Sequence, residues 1–426
     1  MPFQIALSGL NAASTSLSTT ANNIANVNTT GFKGSRANFV ELFATGLQNV
    51  AENATGLGAR PSSIQQLFSQ GSLEFSDNNL DLSIVGEGFF TLSDEAGALS
   101  YTRAGNFGVN RNGVVVNDQG LRLQAFPVLQ DEPGADPVFD TGSLTDLALD
   151  TTDATPRPTS EINLALNLPG NALEPEVPWA GPDETDPDNI IPPDPETFNH
   201  TTSVTIFDSL GRERTATYYF RKTDDDANTW EVYLTVDGSE VNAAGVPLEF
   251  DTDGTLLSVD GDPDATSFTF DDFAVPPAAD LELTADFSDL TQFGSVFNVN
   301  NLTQDGFSSG RLAAIEINAT GVVFARFTNG QSTALGQLSL ANFTNAEGLE
   351  NVSDTRWAET FESGQALRGP AGSGSLGNIQ AGALEAANVD LAKELVDMIT
   401  AQRTFQANAQ MISTADQVTQ TIINIR

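Results

Sequence analysis

The sequence predicts an α+β fold, with two long terminal helices that can pair and β-rich domains strung between them. Three observations carry this. In the last stretch, Leu384–Arg426, apolar residues recur at Leu391, Leu395, Met398, Phe405, Ala409 and Ile412, the four-then-three spacing of one helix face. At the other end Phe3, Leu7, Leu10, Leu17, Ala21 and Ile24 fall on one heptad seam that only Ser14 breaks. Between the two, short runs of period-two alternation are bounded again and again by Gly, Pro, Asn and Asp.

The first helix is expected over Phe3–Ala25. Pro2 suits a first turn, where a missing N–H costs nothing. Its Ser, Thr and Asn are indifferent helix formers, so alone in water it is marginal. Asn26, Asn28 and Gly31 can take the left-handed conformations that end helices. Phe32–Phe75 reads as an extended connector with apolar clusters at Phe39–Leu42–Phe43 and Ile64–Leu67–Phe68.

Strands follow. Leu80, Leu82 and Ile84 alternate, Phe89–Leu92 follows Gly86–Glu87–Gly88, and Asn112–Gly113 is a hairpin turn before Val114–Val116. Leu121, Leu123 and Ala125 alternate again, as do Ile162, Leu164, Leu166 and Leu168. Pro169–Pro195 carries eight prolines and seven acids, the composition of a solvated loop. Strands resume at Val204–Phe207, Thr215–Phe220 and Trp230–Val236, and Phe250–Asp305 sets apolar pairs between acidic turns. A third β stretch covers Ala313–Ile317, Val322–Phe327 and Leu335–Leu340. Gly364–Gly382 holds six glycines and reads as a flexible lead into the last helix. That helix's stripe shifts by one residue and continues through Ala415, Val418, Ile422 and Ile425, so its apolar face needs a partner outside a compact domain.

Composition narrows the function. At 426 residues the chain exceeds one typical domain. It has no Cys and a single His, His200, which removes thiol chemistry, disulfides and most multi-His metal or triad sites. A net charge of −39 argues against nucleic acid and anionic membranes as partners. The acidity is local: Leu147–Asp305 holds 32 acids against five Lys and Arg, whereas Met1–Asn28 has no charged side chain. No apolar run of about 18 residues suggests membrane insertion. The N-terminus lacks the basic and apolar regions of a Sec-type signal peptide, so the expectation is a cytoplasmic protein or one exported by another route.

Several motifs imitate chemical sites. Gly86–Glu87–Gly88 lacks the third glycine and following helix of a nucleotide loop and reads as a β-turn. Asp251–Gly254 and Asp260–Asp262 lack EF-hand spacing and a closing Glu. Acidic pairs are too numerous among 57 acids to single out a glycosidase dyad. His200, in a Pro- and Asp-rich segment, reads as a surface residue. No catalytic residue, metal site or cofactor is assigned.

Ala21–Lys33, with Asn22, Asn23, Ile24, Asn26, Gly31 and Phe32, resembles the signature of the bacterial flagellar rod and hook proteins, as does Leu7–Ala13 before it. Asn79–Phe90 and Tyr101–Phe107 resemble the opening of that family's inner β domain. Gly382–Leu391 and Ala401–Ala409 resemble its C-terminal helix. These motifs span about the first 125 and last 120 residues. Thr205–Gly211 is similar to an outer-domain strand and turn of the hook branch, and with the long middle insertion it favours that branch over the shorter distal rod branch.

The resemblance implies long paired terminal α-helices with nested all-β inner and outer domains. The terminal helical domain would take 1–28 and 385–426, an extended connector 29–75, the inner β domain 76–146 and 306–384, and an acidic outer β domain 147–305. It implies a non-enzymatic subunit that self-assembles into a flexible helical tube, a universal joint carrying torque from rod to filament. The self-assembly residues would be Phe3, Leu7, Leu10, Leu17, Ile24, Leu391, Leu395, Met398, Phe405, Ile412, Val418 and Ile422. Gly364–Gly382 and Asn26–Gly34 would be compliant links. Implied partners are further copies, the distal rod protein, the hook cap, the hook–filament junction proteins and the flagellar type III export apparatus. The implied location is the flagellar hook, outside the cell after export. The alternatives are a distal rod protein or, in a different class, an exported acidic β-domain enzyme or adhesin.

Overall fold

The computed structural model describes residues 2–42, 56–130, 136–149, 152–185, 190–225, 227–242 and 244–424. The chain divides into two compact units. The first takes Met1–Thr151, Ala314–Ala325 and Thr333–Arg426, and the second Thr152–Ala313 with Arg326–Ser332.

The first unit contains both helices, α1 (Pro2–Ala25) and α2 (Leu391–Asn424). The α2 helix starts later than the periodicity suggests: Ala383–Glu385 is a strand, paired with Leu73–Phe75. Asp390 sets the start by accepting from the backbone N–H of Ala392 (2.9 Å) and Lys393 (3.2 Å), an N-cap. The extended connector contains a β-ribbon, β1 (Ser35–Glu41) antiparallel to β2 (Ala59–Gln66), with a bulge between Asn38 and Phe39. Phe43, from the predicted apolar cluster, lies outside the described residues.

The main sheet of this unit orders Ser332–Asn342, Arg122–Phe126, Phe89–Ser93, Leu99–Thr102 and Arg356–Ala358. Its alternation buries Phe90, Leu92, Leu123 and Leu338 on one core, which Leu82 and Ile84 join from a neighbouring two-stranded sheet. Phe89, Tyr101, Phe343 and Trp357 form a second, aromatic cluster, with Phe68 edge-on to Phe89 and Trp357. Leu147 and Leu149, at the expected start of the outer domain, are buried in the first of these cores.

The glycine-rich stretch is not a free lead. Leu367–Pro370 pairs with Ser332–Asn342, and Asn378–Ala381 pairs with Leu82–Val85. The last strands before α2 therefore close on the first strands of the sheet region, and their backbone bonds hold what composition alone reads as flexible.

The second unit has two sheets. One runs His200–Phe207, Glu213–Lys222, Thr229–Val236, Val246–Phe250 and Leu256–Val259, all antiparallel. The other is centred on Glu161–Pro169, antiparallel to Asn298–Gln304 and parallel to Thr284–Asp286 and Thr291–Phe293. Ile162, Leu164, Leu166 and Leu168 from one share a continuous core with Tyr218, Phe220, Trp230 and Leu234 from the other. The acidic stretch after Phe250 adds Leu281, Leu283, Phe287 and Leu290.

One expectation is corrected here and one is extended. His200 begins a strand and is half-buried, its ring stacked on Phe297 at 4.5 Å; burial lowers its pKa. The described part of the Pro-rich segment is a mostly exposed loop, as its composition predicts, but it is also latched. Trp179 stacks on Tyr233 at 4.1 Å and donates to Glu240, and Lys222 Nζ donates to the Gly170 and Ala172 carbonyls.

Candidate assembly surface and the clasp beneath it

The two helices pair with small residues at their closest contacts. The buried face of α1 is Ala6, Ala13, Thr19, Thr20 and Asn23. A Cβ placed on Gly9 would meet the Asn408 side chain at 2.8 Å, and Asn23 Nδ2 donates to Glu394 Oε1 at 3.1 Å. Gly9 and Asn23 are two heptads apart on α1, as Asn408 and Glu394 are on α2, so the helices run antiparallel. Ala401, midway between those α2 contacts, is buried. Helix separation depends on the side chains at the contact, and Gly, Ala, Ser and Thr let these backbones come close.

Six of the larger seam residues are left exposed. Phe3 is 47% exposed, Leu395 39% and Val418 54%, and Leu7, Leu391 and Phe405 are also exposed. Leu10, Leu17, Ile24, Met398 and Ile412 are half-buried. The side chain of Ile422, and Ile425 entirely, lie outside the described residues. The helices pair as the periodicity predicts, with small side chains at the closest contacts and Met398 and Ile412 half-buried on the same face of α2. Close approach of the backbones selects small side chains there.

Below the helices lies a buried ionic cluster. Lys33 Nζ and Glu385 Oε1 are 2.6 Å apart, and Arg103 Nη1 stands 3.2 Å from Glu385 Oε2. Lys33 and Glu385 side chains are fully buried and Arg103 nearly so. Each charge has further partners. Lys33 Nζ donates to the Ser69 carbonyl (2.7 Å), the Gly71 N–H to Glu385 Oε1 (2.8 Å), and Arg103 Nη2 to the Gly86 carbonyl (2.8 Å). Burial lowers the Lys33 ammonium's pKa and the facing Glu385 opposes that shift. The Arg103 guanidinium is lowered by the same cause and supported by the same carboxylate. One carboxylate thus clasps the segment after α1, the connector, the first β region and the strand before α2.

The asparagine motif is the rim of this clasp. The Asn23 side chain bonds Ser35 twice, donating to its carbonyl (2.8 Å) and accepting from its N–H (2.9 Å), as a neighbouring strand would. Asn26 Nδ2 donates to the Asn22 carbonyl at 2.9 Å and closes the last turn of α1. Gly31 has φ +68°, donates its N–H to the Glu385 carbonyl (2.7 Å), and lies so near Ala104 that a Cβ would sit 2.4 Å from its backbone nitrogen. The Phe32 carbonyl accepts from the Asn388 N–H at 3.4 Å. Asn388 spans the junction, accepting from Gly34 N–H (2.7 Å) and donating to the Leu67 carbonyl (2.6 Å). Asn26–Gly34 is thus fixed at many points, not a loose link.

Lys33, Arg103, Glu385 and Asn388 all lie inside motifs recognised in the sequence, yet none was given a role. A signal was available for Lys33, the first charged residue after 32 uncharged ones.

Among the described residues no group of three or more His, Asp or Glu is placed to hold a metal ion, and no helix is long and apolar enough to cross a membrane.

Four family models match segments of this chain. Residues 3–33 match the flagella basal body rod protein family, 83–177 the flagellar hook protein FlgE/F/G D1 domain, 178–307 the flagellar basal body protein FlaE D2 domain, and 380–425 the flagellar basal body rod FlgEFG protein C-terminal family. The chain is 38% identical to the flagellar hook protein FlgE of Escherichia coli K12 and 37% to that of Salmonella typhimurium, each over 100% of both chains. It is 30% identical to the hook protein FlgE of Borreliella burgdorferi over 99% of this chain and 98% of that one. The crystal structure of Helicobacter pylori flagellar hook protein FlgE2 shares the fold with a TM-score of 0.55 at 15% identity, covering 74% of this chain and 100% of that one. With its termini clasped, its helices paired and its whole length matched, the chain belongs to the flagellar hook protein family and is a structural subunit of the bacterial flagellar hook.

Proposed function

We propose that copies of this subunit polymerise through the exposed apolar residues of α1 and α2 into a tube that transmits torque while bending. The observation that carries this is the inverted packing of the helix pair. Small residues face inward, and Phe3, Leu7, Leu391, Leu395, Phe405 and Val418 face out. Contiguous exposed apolar residues mark association surfaces. The clasp holds both chain ends to one sheet region, so a pull on the helices is shared by buried ion pairs and strand bonds. The acidic second unit, net negative and separately cored, suits the outer surface of such a tube, where like charges keep neighbours sliding rather than fused. The subunit acts mechanically and not as an enzyme. Its further partners are the distal rod protein, the hook cap, the hook–filament junction proteins and the flagellar type III export apparatus, which would pass the chain unfolded to the outside.

Leu395→Asp tests the surface. The side chain is exposed in the subunit, so the melting transitions should stay within about 0.5 kcal/mol. In the tube the same change buries an unpaired charge, so electron microscopy of the concentrated variant should show no tubes. Tubes at the wild-type concentration would remove these helix faces from the assembly surface.

A further inference from the structure

Phe361 is fully exposed, at the tip of the turn Thr360–Ser363. The turn is firmly built. Thr360 Oγ1 donates to the Gly348 carbonyl (2.6 Å) and accepts from the Glu362 and Ser363 N–H groups. Ser363, entirely buried, donates its hydroxyl to the Thr360 carbonyl at 2.9 Å. Asn345 Nδ2 holds the Glu362 carbonyl. A ring held in water by so many bonds is presented, not displaced. Glu362 beside it is exposed, and its carboxylate makes no bond among the described residues.

Elsewhere on the first unit a groove of about 430 Å³ runs between α1, β1 and the root of α2. Ala12, Ala13, Ala37 and Phe39 line it together with the hydroxyls of Ser16, Thr19, Thr20, Ser35, Thr400 and Thr404, and Arg36 and Lys393 stand beside them. Neither cation has a carboxylate within ion-pair distance among the described residues. Of the acids on the groove, Glu394 is engaged by Asn23, and Asp397 lies one turn beyond Lys393. An engineered apolar cavity of about 150 Å³ accepts a benzene ring, so a phenylalanine fits here with room for its neighbour's carboxylate to reach the two cations.

We propose that the Phe361–Glu362 turn of one copy docks in this groove on the next, the ring against the alanines and the carboxylate on Arg36 and Lys393. The complementarity is a ring set on small side chains and a carboxylate set beside two cations. Knob and groove lie at different places on one chain, so the contact is head-to-tail, the kind that builds a helical polymer when its rotation does not close. This rests on the reading that copies polymerise and adds a contact apart from the exposed helix faces.

The absence of Cys makes the test direct. Phe361→Cys and Ala12→Cys subunits, each carrying one thiol, are copolymerised and mildly oxidised. A disulfide-linked dimer should form in mixed tubes, not in dilute subunits and not when the partner thiol is instead at the exposed Ser143. Phe361→Ser should keep the wild-type melting transitions and raise the critical concentration for assembly roughly tenfold, about 1.4 kcal/mol per contact. Mixed tubes without the crosslink, equal crosslinking to Ser143→Cys, or Phe361→Ser assembling like wild type would each overturn the docking. Wild-type subunits that form no tubes at all would instead remove the polymer reading beneath it.

Discussion

The second unit and the terminal helix pair bury their side chains in opposite ways. In the second unit the largest residues are the most hidden. Trp230, Tyr218 and Phe220 are fully buried between two sheets, and of the described acids only Asp208 is buried. In the helix pair the buried residues are Ala, Thr and Asn, and the large apolar ones are exposed or half-buried. A region built the first way is complete as a single chain. A region built the second way has only its close contact satisfied and keeps its main hydrophobic gain for association. The clasp reconciles the two, since it anchors helices of weak self-burial to a sheet core that is already whole.

The sharpest way to break this contrast is at Glu385. Glu385→Ala leaves Lys33 and Arg103 buried without their counter-ion, and removing one partner of such a pair costs about 3–5 kcal/mol. Calorimetry should show the first unit's transition falling while the second unit's stays. Replacing Lys33, Arg103 and Glu385 together with apolar residues of similar size should recover most of the loss. An unchanged thermogram for Glu385→Ala would mean that the cluster holds nothing together.

Hydrogen exchange sharpens the comparison at the level of amides. In the free subunit the Leu7–Ile24 amides should exchange at least about a hundredfold faster than those of Tyr218–Val236, because locally stabilised helices open without global unfolding. Assembly should close that gap and leave Tyr218–Val236 unchanged. Equal protection of both segments before assembly contradicts the division drawn here.

Asn23→Ala is a smaller probe of the same junction. It deletes the two bonds to Ser35 and the one to Glu394, for a loss of about 1–3 kcal/mol confined to the first unit. Urea titration of each unit's transition measures it, and a neutral result would reduce the motif to a helix end.

The weakest expected effect belongs to His200 in the second unit. Burial lowers its pKa in the folded chain below the ordinary value of 6.5. The unfolded chain then binds the proton more readily, so stability is full above about 6.5 and declines as pH falls toward the folded value. His200→Phe should flatten the second unit's stability between pH 7 and 5, with the first unit's profile unaffected. A steeper decline in the variant would show that His200 does not titrate against the fold.

Much of the strand layout was legible in the residues themselves. Ile162–Leu168 and Trp230–Val236 alternate because each strand has one face on the core, and that period depends only on backbone geometry. The helix at each end was legible for the same reason, as was the family from its asparagine and glycine motifs. What the helices do with their faces was not. A stripe of Leu and Phe reports that burial is needed somewhere, not whether the partner is the same chain or another copy.

The clasp was hidden for a different reason. Lys33, Arg103 and Glu385 are far apart in sequence, and a lone charge in a motif reads as a solvated one. Only the return of Ala383–Glu385 onto Leu73–Phe75 brings the carboxylate between the two cations. Periodicity and turn chemistry, being local, were thus determined by the sequence alone. The choice of helix face, the latching of the Pro-rich segment and the meeting of three buried charges depend on long-range packing, and the tertiary structure decided them.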